Sequence, residues 1–365
     1  MTGRVDILVV GLGPAGASAA REAARAGASV LAVDRKRAAG EPVQCAEFVP
    51  RLIGLDVEGV APVAVQPIEA MHTFVEAADF DSADGFTGTM IDRGRFDALL
   101  VEQARDAGAE CRFDTVWHRE FGVRELEVTA KLVIGADGPR SKVRAAAGLL
   151  QPRLIETRQI TVPLLDPNNA TDIFLSAEIE GGYAWLFPKG DVANLGLGVA
   201  PKARPRLKPV LEGLRRRLMA EGRIGDAILG NTGGAIPVDG IVGPVAALPD
   251  GAPVLLAGDA AGLTNPVTGA GIPAAVMSGA LAGEAAARWV AGAADALDDY
   301  AEEIDDLFGA SLRRAVARRR ELERAFADSV PQPADLRRGW IAYPEYWAAR
   351  PAVPTPDPQN AMGAP

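Results

Sequence analysis

Three glycines and one carboxylate near the start of the chain have the types and spacing of a site for phosphates and a ribose. Gly11, Gly13 and Gly16 follow the apolar run from Val5 to Val10, and Asp34 stands 18 residues after the last of them. Each glycine meets a separate need: a tight turn at Gly11, close backbone approach to a pyrophosphate at Gly13, and close packing of helix on strand at Gly16. Pro14 and Ala15 open the helix that follows. Its free N–H groups and dipole favour negative charge. Asp34, with Arg35 beside it, ends the next apolar run, and its carboxylate can accept ribose hydroxyls. A 2′-phosphate would be repelled there, so NADP is not expected at this position. A glycine turn in a strand–helix–strand unit with no ligand is the plain alternative.

A second such cluster lies far downstream, at Gly258-Asp259-Ala260-Ala261-Gly262 and Gly269-Ala270-Gly271-Ile272. Asp259 can accept from the hydroxyls of a ribityl chain. A helix opening at Gly271 and Ile272 can face the pyrimidine edge of a flavin, which is negative when reduced. NAD has no ribityl chain and needs no second segment, so the two clusters together point to FAD. The bland reading of Asp259 is a helix cap.

Four further blocks carry a resemblance: Cys45-Ala46-Glu47; Arg93-Gly94-Arg95-Phe96-Asp97-Ala98-Leu99-Leu100; Gly135-Ala136-Asp137-Gly138-Pro139-Arg140-Ser141-Lys142-Val143-Arg144; and Gly182-Tyr183-Ala184-Trp185-Leu186-Phe187-Pro188-Lys189, with Asn194 and Gly196 after it. With the two glycine clusters, they resemble the FAD-dependent geranylgeranyl reductase family, within the para-hydroxybenzoate hydroxylase fold group. The matching blocks run from Val5 to about Leu281. The YxWxFPK block is the one most specific to the reductases; the others are shared with flavin monooxygenases and halogenases. The resemblance implies that Cys45 and Ala46 pass the flavin ring and that Arg93 contacts FAD. An ion pair with Asp97, four residues on, is the other reading of Arg93.

In such a protein the reaction takes place on the flavin, and the chain supplies orientation, burial and at most a proton. Cys45 is the candidate proton donor in the reduction of an alkene; a small buried hydrophobe is its alternative role. Tyr183, Trp185 and Phe187 alternate along a strand and share one face. They suit the wall of an apolar slot for a prenyl chain or an aromatic ring, or else the core of their sheet. Asn194 and Gly196 are expected to shape the strand pair, Asp137 and Gly138 to serve the flavin-side turn, and Ser141 and Arg144 to be structural. No second GxGxxG follows, so the reductant, NAD(P)H or a protein donor, is expected to visit transiently.

The glycine turns call for an α/β fold, and the resemblance implies a Rossmann-like FAD-binding domain of the para-hydroxybenzoate hydroxylase type, interleaved with an antiparallel-sheet substrate domain, plus C-terminal helices. The expected boundaries are 1–65, 93–155 and 240–290 for the first, 66–92 and 156–239 for the second, and 291–330 for the helices. Residues 331–365 form a tail rich in proline and aromatics. Helices are expected over 93–108, 207–230 and most of 269–328, a strand over 233–239, and a short β excursion over 109–130. Leu281, Trp289, Leu297 and Leu307 are expected to be buried, and His72 to be an ordinary strand position. The tail holds four of the nine Trp and Tyr residues, too many for a purely disordered segment. Residues 339–347 are therefore expected to dock on the body or on a partner, and the last ten to be loose.

The 365 residues can bury a large core. The net charge of −10 argues against nucleic acid. No apolar run is long enough to cross a membrane. The basic clusters 215–217 and 318–320 are expected on solvated helix faces, with peripheral contact to anionic lipid as the alternative. Two cysteines and no leader-like start point to the cytoplasm, and two histidines make a metal site unexpected. Three functions stay open. One is reduction of isoprenoid C=C bonds. The second is hydroxylation of a hydrophobic small molecule or a peptide side chain, favoured by the unusual Ala46-Glu47-Phe48. The third is a flavoprotein that only docks a partner.

Overall fold

The computed structural model describes residues 3–50, 61–76, 79–118, 122–123 and 128–348. The apolar run at the start forms the strand Arg4–Val10 at the centre of a six-stranded sheet. Its order is Val245–Ala247, Pro253–Leu256, Thr129–Gly135, Arg4–Val10, Val30–Val33, Glu110–Arg112. All neighbours are parallel except the pair at the Val245–Ala247 edge. Strands covered on both faces need continuous apolar sequence, and Val30–Val33 and Val254–Leu256 are accordingly buried throughout.

Two helices cover one face, Pro14–Arg25 and Ile272–Val290. Their richness in Gly and Ala has a steric cause. A Cβ at Gly279 would sit 2.1 Å from the Ala15 carbonyl oxygen, and one at Gly283 would sit 2.3 Å from that of Ala19. Backbone therefore packs on backbone, and the N-termini of the two helices converge where Gly258 lies against Ala15 and Ala275.

The second large sheet runs in the order Gly230–Thr232, Leu154–Pro163, Val192–Val199, Ala184–Lys189, Ala170–Leu175, Ala70–Val75, Phe80–Ala83, with Ala235–Pro237 also on Leu154–Pro163. It is antiparallel as expected, except that Ala170–Leu175 and Ala70–Val75 pair in parallel. His72 is a strand residue there, with Nδ1 3.2 Å from the buried Asp172 carboxylate. One face packs on the helix Leu207–Ala220. That helix ends ten residues short of its expected limit, because Gly222 turns the chain with a φ of +72°. A three-stranded sheet, Phe48–Pro50, Gly88–Ile91 and Ala64–Ile68, adjoins it.

Three further expectations are corrected. Glu110–Arg112 belongs to the six-stranded sheet, and among the described residues the excursion keeps one antiparallel pair, Trp117–His118 with Gly122–Val123. The expected strand over 233–239 is shorter, Ala235–Pro237, and a separate strand, Gly230–Thr232, precedes it. Leu307 is 46% exposed, since the helical turn Asp305–Gly309 is widened and the core is met instead by Ile304 and Leu312. Leu281, Trp289 and Leu297 are half-buried against that core.

The basic cluster on the helix Ala310–Asp328 is also not solvated as a unit. Arg318 and Arg319 are buried and Arg320 is exposed. Arg318 donates to the Tyr346 and Ala348 carbonyls, and Arg319 to those of Pro266 and Gly181. Their work is to hold the tail and the cavity loops. On the other cluster Arg216 and Arg217 are exposed, as expected. The tail docks: Pro333–Arg338 and Pro344–Trp347 are helical, and Trp340, Tyr343 and Tyr346 are buried. The last ten residues lie outside the described residues.

Candidate active site

A cavity of about 1230 Å³ runs from the glycine turn to the aromatic strand. It is larger than a single small-molecule pocket, which typically takes about 300–1,000 Å³. At one end the three glycines divide as expected. Gly11 has a φ of +101°, and a Cβ there would meet the Ala136 carbonyl oxygen at 2.3 Å. A Cβ on Gly16 would lie 1.8 Å from the Gly11 carbonyl oxygen. A Cβ on Gly13 would meet nothing within 4 Å, and Gly13 lines the cavity, so its Cα side is open to a ligand.

Neither converging helix has a side-chain cap at its N-terminus, which leaves N–H groups free for a ligand. Asp34 lines the same end. Its oxygens accept from the Leu12 and Lys36 N–H groups, each at 2.8 Å, which fixes the carboxylate in place. Arg35 lies exposed on the rim. A bare glycine, two uncapped helix ends and a fixed carboxylate fit the pyrophosphate and ribose of a dinucleotide.

Asp259 lines the middle of the cavity, with the Thr264 hydroxyl donating to it. Burial pushes its carboxyl above the usual carboxylate range, and Thr264, Arg93 and Arg144 only partly offset this. Gly271 is needed beside it, because a Cβ would lie 2.3 Å from Thr264 Oγ1. Ile272 opens the helix behind. Asp137 caps the short helix Lys142–Ala146 through Ser141 and the Lys142 N–H, as a turn residue should.

Arg144 does more than the sequence suggests. It has no exposed surface, and it donates to the Ala260, Pro139 and Gln151 oxygens at 2.8 Å each. It thereby bolts the ADG turn to the turn that carries Asp259. Its signal in the sequence was only its place in a motif.

Cys45 lines the cavity half-buried, in a loop with no regular structure. The Arg93 side chain faces its thiol and is paired with Asp97 at 2.6 Å. Burial acts against the Arg93 charge, but Asp97 and Cys45 outweigh it and push the guanidinium's pKa up. Arg93 therefore lines the cavity and also makes the pair with Asp97, which is shielded rather than at the surface.

Glu47 is buried, and its carboxylate accepts from Lys189 Nζ at 2.7 Å and Asn194 Nδ2 at 3.0 Å. Asn194 thus ties strand to loop. Gly196 makes room for the Trp185 ring, which a Cβ would meet at 2.4 Å.

Tyr183, Trp185 and Phe187 share one face, line the cavity and also belong to a buried cluster with Met71, Met90 and Trp340. The wall is core on one side and pocket on the other. The Tyr183 hydroxyl donates to the Thr268 carbonyl at 2.5 Å, and burial pushes its pKa up. Trp185 Nε1 donates to Gln159, a residue the motifs gave no reason to select. From the tail, Trp340 packs on Tyr183 with the rings tilted by 54° and centroids 4.7 Å apart and, with Ile341, closes the wall. Among the described residues no cluster of His, Cys, Asp or Glu could hold a metal, and no helix is long and apolar enough to cross a membrane.

Comparison with known proteins agrees with this geometry. Residues 4–163 match the family described as FAD binding domain, and residues 155–234 the geranylgeranyl reductase catalytic domain. The digeranylgeranylglycerophospholipid reductase 2 of Methanococcoides burtonii is 32% identical over 87% of this chain and 82% of its own. The corresponding reductase of Methanocaldococcus jannaschii is 33% identical over 82% and 79%. Among solved structures, a geranylgeranyl bacteriochlorophyll reductase-like protein from Thermoplasma acidophilum superposes with a TM-score of 0.76 at 24% identity, covering 90% and 91% of the two chains. PqsL of Pseudomonas aeruginosa, described as a probable FAD-dependent monooxygenase, gives 0.64 at 20% identity over 89% and 99%. At that identity the last two speak for the fold alone.

Proposed function

Because this chain belongs to the geranylgeranyl reductase family, we propose that it is an FAD-dependent reductase of isoprenoid carbon–carbon double bonds, acting on a polyprenyl lipid. The observation that carries the reading is the continuity of the cavity from Gly13 and Asp34, past Cys45, to Tyr183 and Trp185. Gly11, Gly13, Pro14, Ala15 and Gly16 would hold the pyrophosphate, Asp34 and Arg35 the ribose side, and Asp259 the ribityl chain. The helix end at Gly271 and Ile272 would face the ring's pyrimidine edge, with Cys45, Ala46 and Arg93 along the ring. Bound there and already reduced by its donor, the flavin would supply the hydride for one alkene carbon and return to its oxidised form.

The chain's own residues would do the rest. The aromatic strand holds the prenyl chain and keeps water from it. The second alkene carbon needs a proton, and the Cys45 thiol supplies it. Arg93 faces the sulfur that then carries negative charge. The Tyr183 proton is committed to Thr268, which supports Cys45 as the donor on this wall. NAD(P)H or a donor protein would reduce the flavin transiently. Cys45 and Cys111 are both unpaired, which supports a reducing, cytoplasmic setting.

The test is anaerobic mixing of photoreduced holoprotein with a lipid bearing geranylgeranyl chains, and separately with its saturated counterpart. Flavin reoxidation and loss of vinyl protons with the first lipid alone are expected, and Cys45→Ser should slow that step. No reoxidation by the alkene, together with oxygen-dependent hydroxylation of the lipid, would replace the reading with a hydroxylase.

A further inference from the structure

Glu47 is the buried charge that the proposed reaction leaves without a task. It follows the thiol by two residues, and its backbone is left-handed, with a φ of +69°. A side chain rarely adopts that conformation unless its surroundings hold it there. The surroundings come from both halves of the molecule. Glu47 Oε1 accepts the Arg93 N–H at 3.0 Å, at the start of the helix Arg93–Asp106. Oε2 accepts from Lys189 and Asn194, on adjacent strands of the large substrate-side sheet. The Glu47 N–H in turn points back to Cys45 Sγ at 3.1 Å.

We propose that Glu47 is a positioning residue for Cys45: its carboxylate, clamped between Lys189, Asn194 and the Arg93 backbone, fixes the loop that presents the thiol to the cavity. The loop has no ladder of its own. Its other ties are single neutral hydrogen bonds: Thr232 to the Val43 carbonyl, Gln159 to that of Cys45, Asn194 to that of Ala46 at 3.3 Å, and Ile91 to that of Glu47. To these Glu47 adds a charge-assisted bond to Lys189, which is stronger than a neutral one. Glutamine cannot replace it, because the partners of both oxygens are donors, so in either orientation the amide nitrogen would meet one of them with hydrogens.

The proposal rests on the reductase reading for its effect on turnover, but not for its effect on the thiol. The test therefore reads both, on the holoprotein in a Cys111→Ser background that leaves Cys45 as the one thiol. Glu47→Gln should change the rate of Cys45 alkylation by iodoacetamide by about tenfold or more. It should lower kcat for alkene reduction by about ten- to hundredfold with little change in KM, the scale on which small misplacements act. A double variant, Glu47→Leu with Lys189→Met, removes the ion pair without leaving a lone buried charge, and should show the same two effects should the single variant fold poorly. A purely structural bolt would lower the melting temperature and leave both readings of the folded variants unchanged, and that result would overturn the proposal. A changed alkylation rate in a protein whose wild type reduces no alkene would uphold the clamp and sink the reductase reading instead.

Discussion

Trp185 Nε1 donates to Gln159 Oε1 at 3.1 Å, and both side chains are buried. The nitrogen of the same amide donates to the Cys45 carbonyl at 3.1 Å. One side chain therefore joins the aromatic wall to the thiol loop. A shift in either must be felt by the other.

Gln159→Leu should break this link. It leaves a buried indole N–H unpaired, which costs about 1–3 kcal/mol, and frees the loop. Chemical denaturation and Trp185 fluorescence check the two effects. Stability and spectrum both equal to wild type would show that the link carries nothing.

Gly13 and Gly16 should respond oppositely to alanine. Gly13 has a φ of −76° and open space around it, so Gly13→Ala should leave the apoprotein melting temperature within about 2 °C of wild type. It should weaken FAD binding by about tenfold or more, the equivalent of one lost contact of roughly 1.4 kcal/mol. Gly16→Ala places a Cβ 1.8 Å from a backbone oxygen and should destabilise the apoprotein itself by about 1–3 kcal/mol or more. Flavin absorbance of the purified variants and thermal melts of their apoproteins separate the two.

The pH dependence of the apoprotein should carry the mark of Asp259. Burial raises this carboxyl above its ordinary value of 3.8, less strongly where cavity water reaches it. The folded state then keeps a proton that the unfolded chain has released. Its stabilising contribution is complete below 3.8 and is lost as the pH rises through the folded value. Wild-type apoprotein should therefore lose stability relative to Asp259→Asn between acidic and neutral pH. A difference of opposite sign would mean that Thr264 and the nearby arginines outweigh burial.

The tail should act as part of the site. Trp340 is 2% exposed and lies on Tyr183. Trp340→Ala should cost about 3–5 kcal/mol and raise KM for the prenyl substrate by opening the wall. Truncation after Val330 should do the same more severely. An unchanged KM in either variant would remove the tail from the substrate end.

Much of the nucleotide half was legible because its constraints are local. A glycine that must turn, an acid that ends a strand and an apolar run buried on both faces are each set by neighbours within a few residues. The helix 207–230 was overextended because apolar spacing does not register that Gly222 can leave the helix. Arg318 and Arg319 were misplaced because charge usually seeks water. Their partners, the Tyr346, Pro266 and Gly181 carbonyls, come from segments up to 138 residues away.

The chain by itself determined the glycine turn and the acid that ends the second strand, since each depends on residue type and short spacing, while the aromatic strand and the thiol stood out through motifs shared with a family. Only the tertiary structure decided that Glu47 meets Lys189 across 142 residues, that Arg144 reaches Ala260 across 116, and that Trp340 closes on Tyr183. The physical reason is that a buried polar group must find its partner wherever packing brings one. Packing is set by the two sheets and the crossing helices together, not by distance along the chain.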